Sequence, residues 1–281
     1  MSSLGPALSA AAPTTPMTAA PISSPFDAIA EAYDTAFTHT TIGESMRRAV
    51  WRRLDAHWSA GATILDINCG TGEDAAHLAR RGVRVLATDA SAAMVAAARR
   101  KAEQAGVHRL VDVRHVPIEE LDGLDHAPFD GVLSNFGGLN CVDDLRHTSR
   151  TLAGLIKPGG LAVFCVMGPV VPWEWLYYLS RGDAGRAFRR LRKGPSQWRG
   201  LSIHYPSVRH LTACFAPDFS VVRTSAVGCL VPPTYMESWA NRHPRVFRML
   251  ERMERRIETW PLAASVADHY LIELTRSRAA S

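Results

Sequence analysis

The densest chemical signal in the chain is the run Ile64-Leu65-Asp66-Ile67-Asn68-Cys69-Gly70-Thr71-Gly72. Glycines placed directly after an apolar run let the backbone approach a bound molecule. They also open the next helix, whose N-terminus favours polar or anionic groups. Seventeen residues past Gly72, Asp89 ends a second apolar run. That is the place for a carboxylate accepting hydrogen bonds from both hydroxyls of a ribose. Two cofactor types are compatible with the pattern. Gly70-Thr71-Gly72-Glu73-Asp74-Ala75 satisfies the dinucleotide spacing G-x-G-x-x-A, which admits a nicotinamide. Asp66 argues against it: an acid at a strand tip repels a pyrophosphate and suits a cation, such as a sulfonium that also carries an ammonium.

Candidates for proton transfer are fewer. Of eleven histidines, His204, beside Tyr205, is the first candidate base and His39 the second. The five cysteines are widely spaced, form no C-x-x-C pair and join no histidine at zinc-finger spacing. They predict reduced thiols and no metal site.

The elements around these residues alternate. Segment 26–58 is helical in pattern, with Met46, Val50, Trp51, Leu54 and Trp58 on one stripe. Strands are predicted at Ala62–Ile67, Val83–Asp89, Leu110–Val116, Phe129–Phe136 and Leu161–Met167. Between them lie helix Glu73–Arg81, a helix capped by Ser91, and helix 143–156, whose first turn carries Asp143 and Asp144. This alternation specifies a parallel, doubly wound α/β sheet. Residues 169–204 break the rhythm, being rich in Trp, Tyr and Arg with no obvious strand. It resumes with helix 206–215, strand Phe219–Val227, a basic helix 235–257 and strand His269–Thr275.

Five motifs in order now carry a resemblance. Asp66-x-Asn68-x-Gly70-x-Gly72 resembles the first motif of class I S-adenosylmethionine-dependent methyltransferases. Phe26-Asp27-x-Ile29-Ala30-x-x-Tyr33-Asp34 is similar to the leading helix of their small-molecule, ubiquinone/menaquinone-type (methyltransferase type 11-like) branch. Asp89-Ala90-Ser91-x-x-Met94, Phe129-Asp130-x-Val132-x-Ser134-Asn135 and Leu155-x-Lys157-Pro158-Gly159-Gly160 resemble three later motifs. The resemblance covers residues 26–168 well and 206–276 loosely. It implies a Rossmann-like sheet of seven strands, the seventh antiparallel, with a helical lid insert at 169–204. It implies S-adenosylmethionine as cofactor. Asp66, Gly70, Thr71 and Gly72 would lie at its methionine part, with Tyr33 closing over that end and Asn135 beside the sulfonium. Asp89 would hold the ribose, and Ala90 and Met94 would flank the adenine. Two departures matter. Asn68 replaces a glycine, which asparagine tolerates best among side-chain-bearing residues. Pro117 stands where an acid often meets the adenine amine, which passes that contact to the backbone of Ile118 and to Glu119.

Methyl transfer is a direct displacement, so alignment is the protein's main task. Ser134-Asn135-Phe136-Gly137 is not the Pro-Pro-aromatic sequence of nucleobase amine methylation, and Ser134 is not the acid of metal-dependent catechol methylation. A small hydrophobic or aromatic acceptor is expected, methylated on oxygen in preference to carbon or nitrogen. The insert is its expected cover, with Trp173 and Tyr177 on one helical face with Leu176. Asn140 and Tyr205 complete the expected substrate contacts. Two other readings stay open: an NAD(P)-dependent oxidoreductase using the same glycine turn, and a non-catalytic cofactor-binding module.

Length and composition set the remaining bounds. The 281 residues are 47% hydrophobic and 21% charged, enough for a sizeable core. They suit one domain over 26–276, flanked by tails 1–25 and 277–281, the first free of charge and rich in Ala, Ser, Pro and Thr. No secretory or transit signal and no apolar span is read, so a cytoplasmic protein is expected, at most peripheral at a membrane. The net charge of +5 is local: residues 181–199 hold seven cations against Asp183 alone. That excludes a generally basic nucleic-acid binder and points to an anionic substrate, an acidic carrier or a membrane surface at the lid.

Overall fold

A computed structural model describes residues 24–126 and 128–277. The expected tails lie outside those residues, apart from Ser24, Pro25 and Ser277. Nine strands follow in chain order: β1 (Thr63–Ile67), β2 (Arg84–Asp89), β3 (Val111–His115), β4 (Phe129–Ser134), β5 (Ile156–Met167), β6 (Ser196–Trp198), β7 (Leu201–Ile203), β8 (Phe219–Val227) and β9 (His269–Arg276). Seven of them form one sheet in the order β3-β2-β1-β4-β5-β9-β8. β1 to β5 run parallel, and β9 is antiparallel to both β5 and β8. The seven-stranded Rossmann-like sheet read from the sequence is therefore present, with its last strand reversed.

Helices cover both faces, which is why the central strands are apolar on both sides. Alternation along β1 distributes the core: Ile64 packs with Val50, Leu54 and Leu78 on one face, Leu65 and Ile67 with Phe164 and Tyr270 on the other. Asp66 alternates onto the first of these faces and is buried there. Caps fall where the side chains allow. Ser91 Oγ accepts the Met94 N–H, and Asp144 accepts from Arg146 and His147.

Three stretches differ from expectation. The leading segment is not one helix. Short turns over Asp27–Tyr33 and a π-helical stretch Asp34–Thr38 precede helix Thr41–His57, which Thr40 caps. The insert is not wholly helical either: after helix Pro172–Leu179 and the turn Ala184–Ala187 it forms the β6–β7 hairpin. The basic helix breaks at His243, because Pro244 lacks an N–H and disfavours helical backbone before it. The result is two helices, Glu237–Arg242 and Pro244–Ile257. Among the described residues no helix is long and apolar enough to cross a membrane.

Candidate active site

A cavity of about 700 Å³ opens at the C-terminal ends of the parallel strands, the usual ligand position in such sheets. Its floor on one side is the glycine turn. Asn68 and Gly70 both adopt left-handed backbone, at φ 56° and 55°. A Cβ at Gly70 would meet nothing within 4 Å. Asp89 is fixed beside this turn: its Oδ2 accepts the Gly70 N–H at 2.8 Å and its Oδ1 the Ser91 N–H at 2.8 Å. Burial pushes the Asp89 carboxyl up, and these two donors oppose that shift.

Three buried polar atoms nearby have no partner among the described residues: Asp66 Oδ2, Asn68 Nδ2 and Ser134 Oγ. Two of them gather around one point, since a Cβ on Gly138 would lie 2.7 Å from both Asn68 Nδ2 and Ser134 Oγ. Buried polar groups normally find partners, so this cluster is built for a polar ligand. Burial raises the Asp66 carboxyl well above its usual range; Asp74 and Asp89 add to the shift and Arg47 opposes it. A cation would restore its charge. The Asp66 carboxylate can accept from an ammonium and would repel a pyrophosphate, while Asn68 Nδ2 is placed to donate to an oxygen of the ligand.

Asp74 organises the far wall. It accepts from Arg47 Nη1 at 2.6 Å, Trp51 Nε1 at 2.7 Å and Asn135 Nδ2 at 2.9 Å. Burial works against its charge, but Arg47 and these donors outweigh it and hold the carboxyl below its usual range. Asn135 Oδ1 in turn accepts the N–H of Phe136, which stands at φ 48°. The Arg47 guanidinium lies 4.9 Å from the Phe136 ring. Asn135 and Phe136 are thus fixed from the leading helix through one buried ion pair.

Most of the expected cofactor residues meet here. Tyr33, Asn68, Gly70, Asp89, Ala90, Met94, Ile118, Glu119 and Asn135 all line the cavity. Asp66 lies just beneath it. Thr71 and Gly72 do not line it. Thr71 donates to Asp34 at 2.6 Å, and Gly72 is pressed against Ala98 on the neighbouring helix.

The expected catalytic histidines are elsewhere. His204 Nε2 lies 2.8 Å from Asp143 Oδ1 and faces a neighbouring cleft of about 580 Å³. His39 is exposed after the π-helical stretch. Among the described residues no histidine lines the cavity. Of the expected substrate residues only Tyr205 reaches it. Tyr177 packs edge-on against Tyr178 and tilted against Tyr235, and Trp173 stands on the same helix outside the lining. Asn140 is fully buried as a clamp: its Nδ2 donates to the carbonyls of Met167 and His204, and its Oδ1 accepts the Met167 N–H.

Phe136, Met167, Trp198, Leu201 and Ile203 form an apolar part of the same lining. Phe26 and Trp198, 5.2 Å apart, join the leading segment to the hairpin across the opening. The hairpin had a readable signal: Arg199-Gly200 between alternating triplets, both at positive φ as a tight hairpin turn demands.

Comparison with known proteins agrees with this geometry. Residues 64–160 match the family described as "Methyltransferase domain". Over those residues the chain is similar to methyltransferase domains. A demethylmenaquinone methyltransferase of Clavibacter sepedonicus is 34% identical over 152 residues, 54% of this chain and 60% of that protein. A ubiquinone biosynthesis O-methyltransferase of Methylocella silvestris is 42% identical over 147 residues, 45% of this chain and 56% of that protein. The matches thus span little more than half the length of these relatives. The structure of a putative sarcosine dimethylglycine methyltransferase from Galdieria sulphuraria shares the fold. Its TM-score is 0.57 at 14% identity, over 88% of this chain and 98% of that one.

Proposed function

We propose that this protein transfers a methyl group from S-adenosylmethionine to an oxygen of a small aromatic or apolar acceptor. The carrying observation is the continuity of the cavity. It runs from the glycine turn and Asp89 to a chamber walled by Phe136, Met167, Trp198 and Leu201. Both substrates of a displacement would therefore have adjoining places in one cavity. When bound, S-adenosylmethionine supplies an electrophilic methyl on a sulfonium. Asp89 would hold its ribose and Asp66 its ammonium, while Asn68 and Asn135 direct dipoles at its methionine end. Phe136 and Met167 would press the acceptor toward that end.

The oxidoreductase reading has less support, because the unpartnered Asp66 carboxyl disfavours a pyrophosphate. The non-catalytic reading is opposed by the acceptor chamber itself. We read the functional unit as residues 26–276 with 169–204 as its cover. On that cover Leu176, Leu179, Phe188 and Leu191 are exposed beside Arg181, Arg192 and Lys193. This pairing of apolar and cationic groups favours an anionic membrane surface over a carrier protein.

The test compares thermal stabilisation by S-adenosylhomocysteine with that by NAD, followed by methyl-tritium transfer to a panel of phenols and aromatic acids. Stabilisation by S-adenosylhomocysteine alone, with label entering an acceptor, is expected. Stabilisation by NAD alone would overturn the reading.

A further inference from the structure

One cationic side chain lines the cavity among the described residues, and it is Arg189. Its position is fixed by a row of alternating charges. Asp268, just before β9, holds Arg190 Nη2 at 2.7 Å; Arg190 Nε lies 2.8 Å from Glu174 Oε2; and Glu174 Oε1 lies 2.5 Å from Arg189 Nη2. The first three members are buried, with Glu174 and Asp268 held inside the protein by their arginine partners. Arg189 is the last member and the most exposed, with a third of its side chain accessible. Glu174 engages one of its nitrogens, and no acceptor among the described residues meets Nε or Nη1. A guanidinium presents its donors in a rigid fork suited to a carboxylate or a similar oxyanion.

Strand order separates this arginine from the cofactor half. Asp89 and Glu119 follow β2 and β3, at one end of the sheet. Arg189 belongs to the segment after β5 and is anchored at β9 on the other side. The cavity therefore has acids at its cofactor end and a cation at its acceptor end. Between them stand aromatic and aliphatic walls, and among the described residues no histidine or acid lines the acceptor side to remove a proton.

We propose that the acceptor is an aromatic or apolar molecule bearing an anionic oxygen group, and that Arg189 selects it by pairing with that group. This rests on the acceptor chamber described above. Where that ionised oxygen is itself the nucleophile, it takes the methyl with no proton to lose and needs no base from the protein, consistent with His204 lying outside the cavity.

The test uses 2-naphthoate and its neutral isostere 2-naphthamide, titrated into the full chain with and without saturating S-adenosylhomocysteine. Naphthoate is expected to bind about tenfold tighter or more. Arg189→Met should bring the two affinities together, and Arg189→Lys should retain part of the preference. Equal binding of the probes, no binding of naphthoate, or a preference unchanged in Arg189→Met would overturn the proposal. So would loss of S-adenosylhomocysteine affinity in Arg189→Met with the naphthoate preference intact, which would assign the arginine to the cofactor. Glu174→Gln, with Tm followed, separates loss of the anchoring row from loss of the charge: it should lower Tm and keep the naphthoate preference. Failure of S-adenosylhomocysteine to bind would instead strike the methyltransferase reading, and the ratio measured without it would still judge Arg189.

Discussion

Burial leaves Asp66 Oδ2 without a partner and raises the pKa of its carboxyl, so folding holds a proton there that the unfolded chain releases. An acid whose folded pKa exceeds its unfolded value destabilises the protein as pH rises above the unfolded value, and the penalty is complete above the folded pKa. Asp66→Asn is therefore expected to raise Tm at neutral pH and to leave it nearly unchanged in acid. The same substitution should weaken S-adenosylhomocysteine, whose ammonium favours the carboxylate. In the native protein that affinity should climb with pH through the raised pKa, with proton release on binding. Calorimetry in buffers of different ionisation enthalpy measures that release, and Asp66→Asn should abolish it. A flat affinity between acid and neutral pH would remove Asp66 from the site. Residues such as Asp66, Gly70 and Asp89 were legible because a strand end fixes where each must stand. His204 was not: its chain position is beside the cavity, but Asp143 draws its ring into the next cleft. Backbone placement follows from pattern; side-chain direction follows from partners that sequence spacing does not reveal.

At the scale of elements, two contacts decide how the cavity is framed. Gly72 caps helix Glu73–Arg80 at φ 77°, and a Cβ there would stand 2.8 Å from the Ala98 Cβ. Gly72→Ala should cost roughly 1–3 kcal/mol through crowding and left-handed strain. A denaturant midpoint lowered with unchanged slope would show it. The second contact is Phe26 against Trp198, which closes the opening between the leading segment and the hairpin. Trp198→Ala should raise the acceptor KM severalfold while leaving S-adenosylhomocysteine affinity within about twofold, since the indole borders the acceptor chamber. Equal losses in both would place Trp198 elsewhere in the mechanism. The sheet and its helices were legible from alternation, whereas the hairpin offered only its Arg199-Gly200 turn as a sign. Its strands are three residues each, Ser196–Trp198 and Leu201–Ile203, too short for a period of two to stand out from the aromatic and basic residues around them. The break at His243 could have been read from Pro244, but the amphipathic pattern continues across it.

For the whole molecule, the charge excess noted in the sequence is partly internal. Arg190 is buried between Glu174 and Asp268, and Arg189 points to the cavity. What remains outside is a cationic rim carrying Arg181, Arg192 and Lys193 with exposed leucines between them. Sedimentation with phosphatidylglycerol vesicles should carry the protein down at low salt. Phosphatidylcholine vesicles should do so several times less, and about 0.5 M salt should release most of it. Equal binding to both lipids would refute a role for charge. A separate consequence follows from Asn140. The cover leaves the sheet after Met167 and returns at His204, and the one carboxamide grips the backbone at both points. Departure and return are thus stapled side by side, independently of what lies between. The ends of the intervening loop are already closed, so changing its length adds little further chain entropy. Segment 169–204 is in this sense an exchangeable cassette. A different sequence spliced between the two gripped points could re-shape the acceptor chamber while the sheet beneath stays as it is.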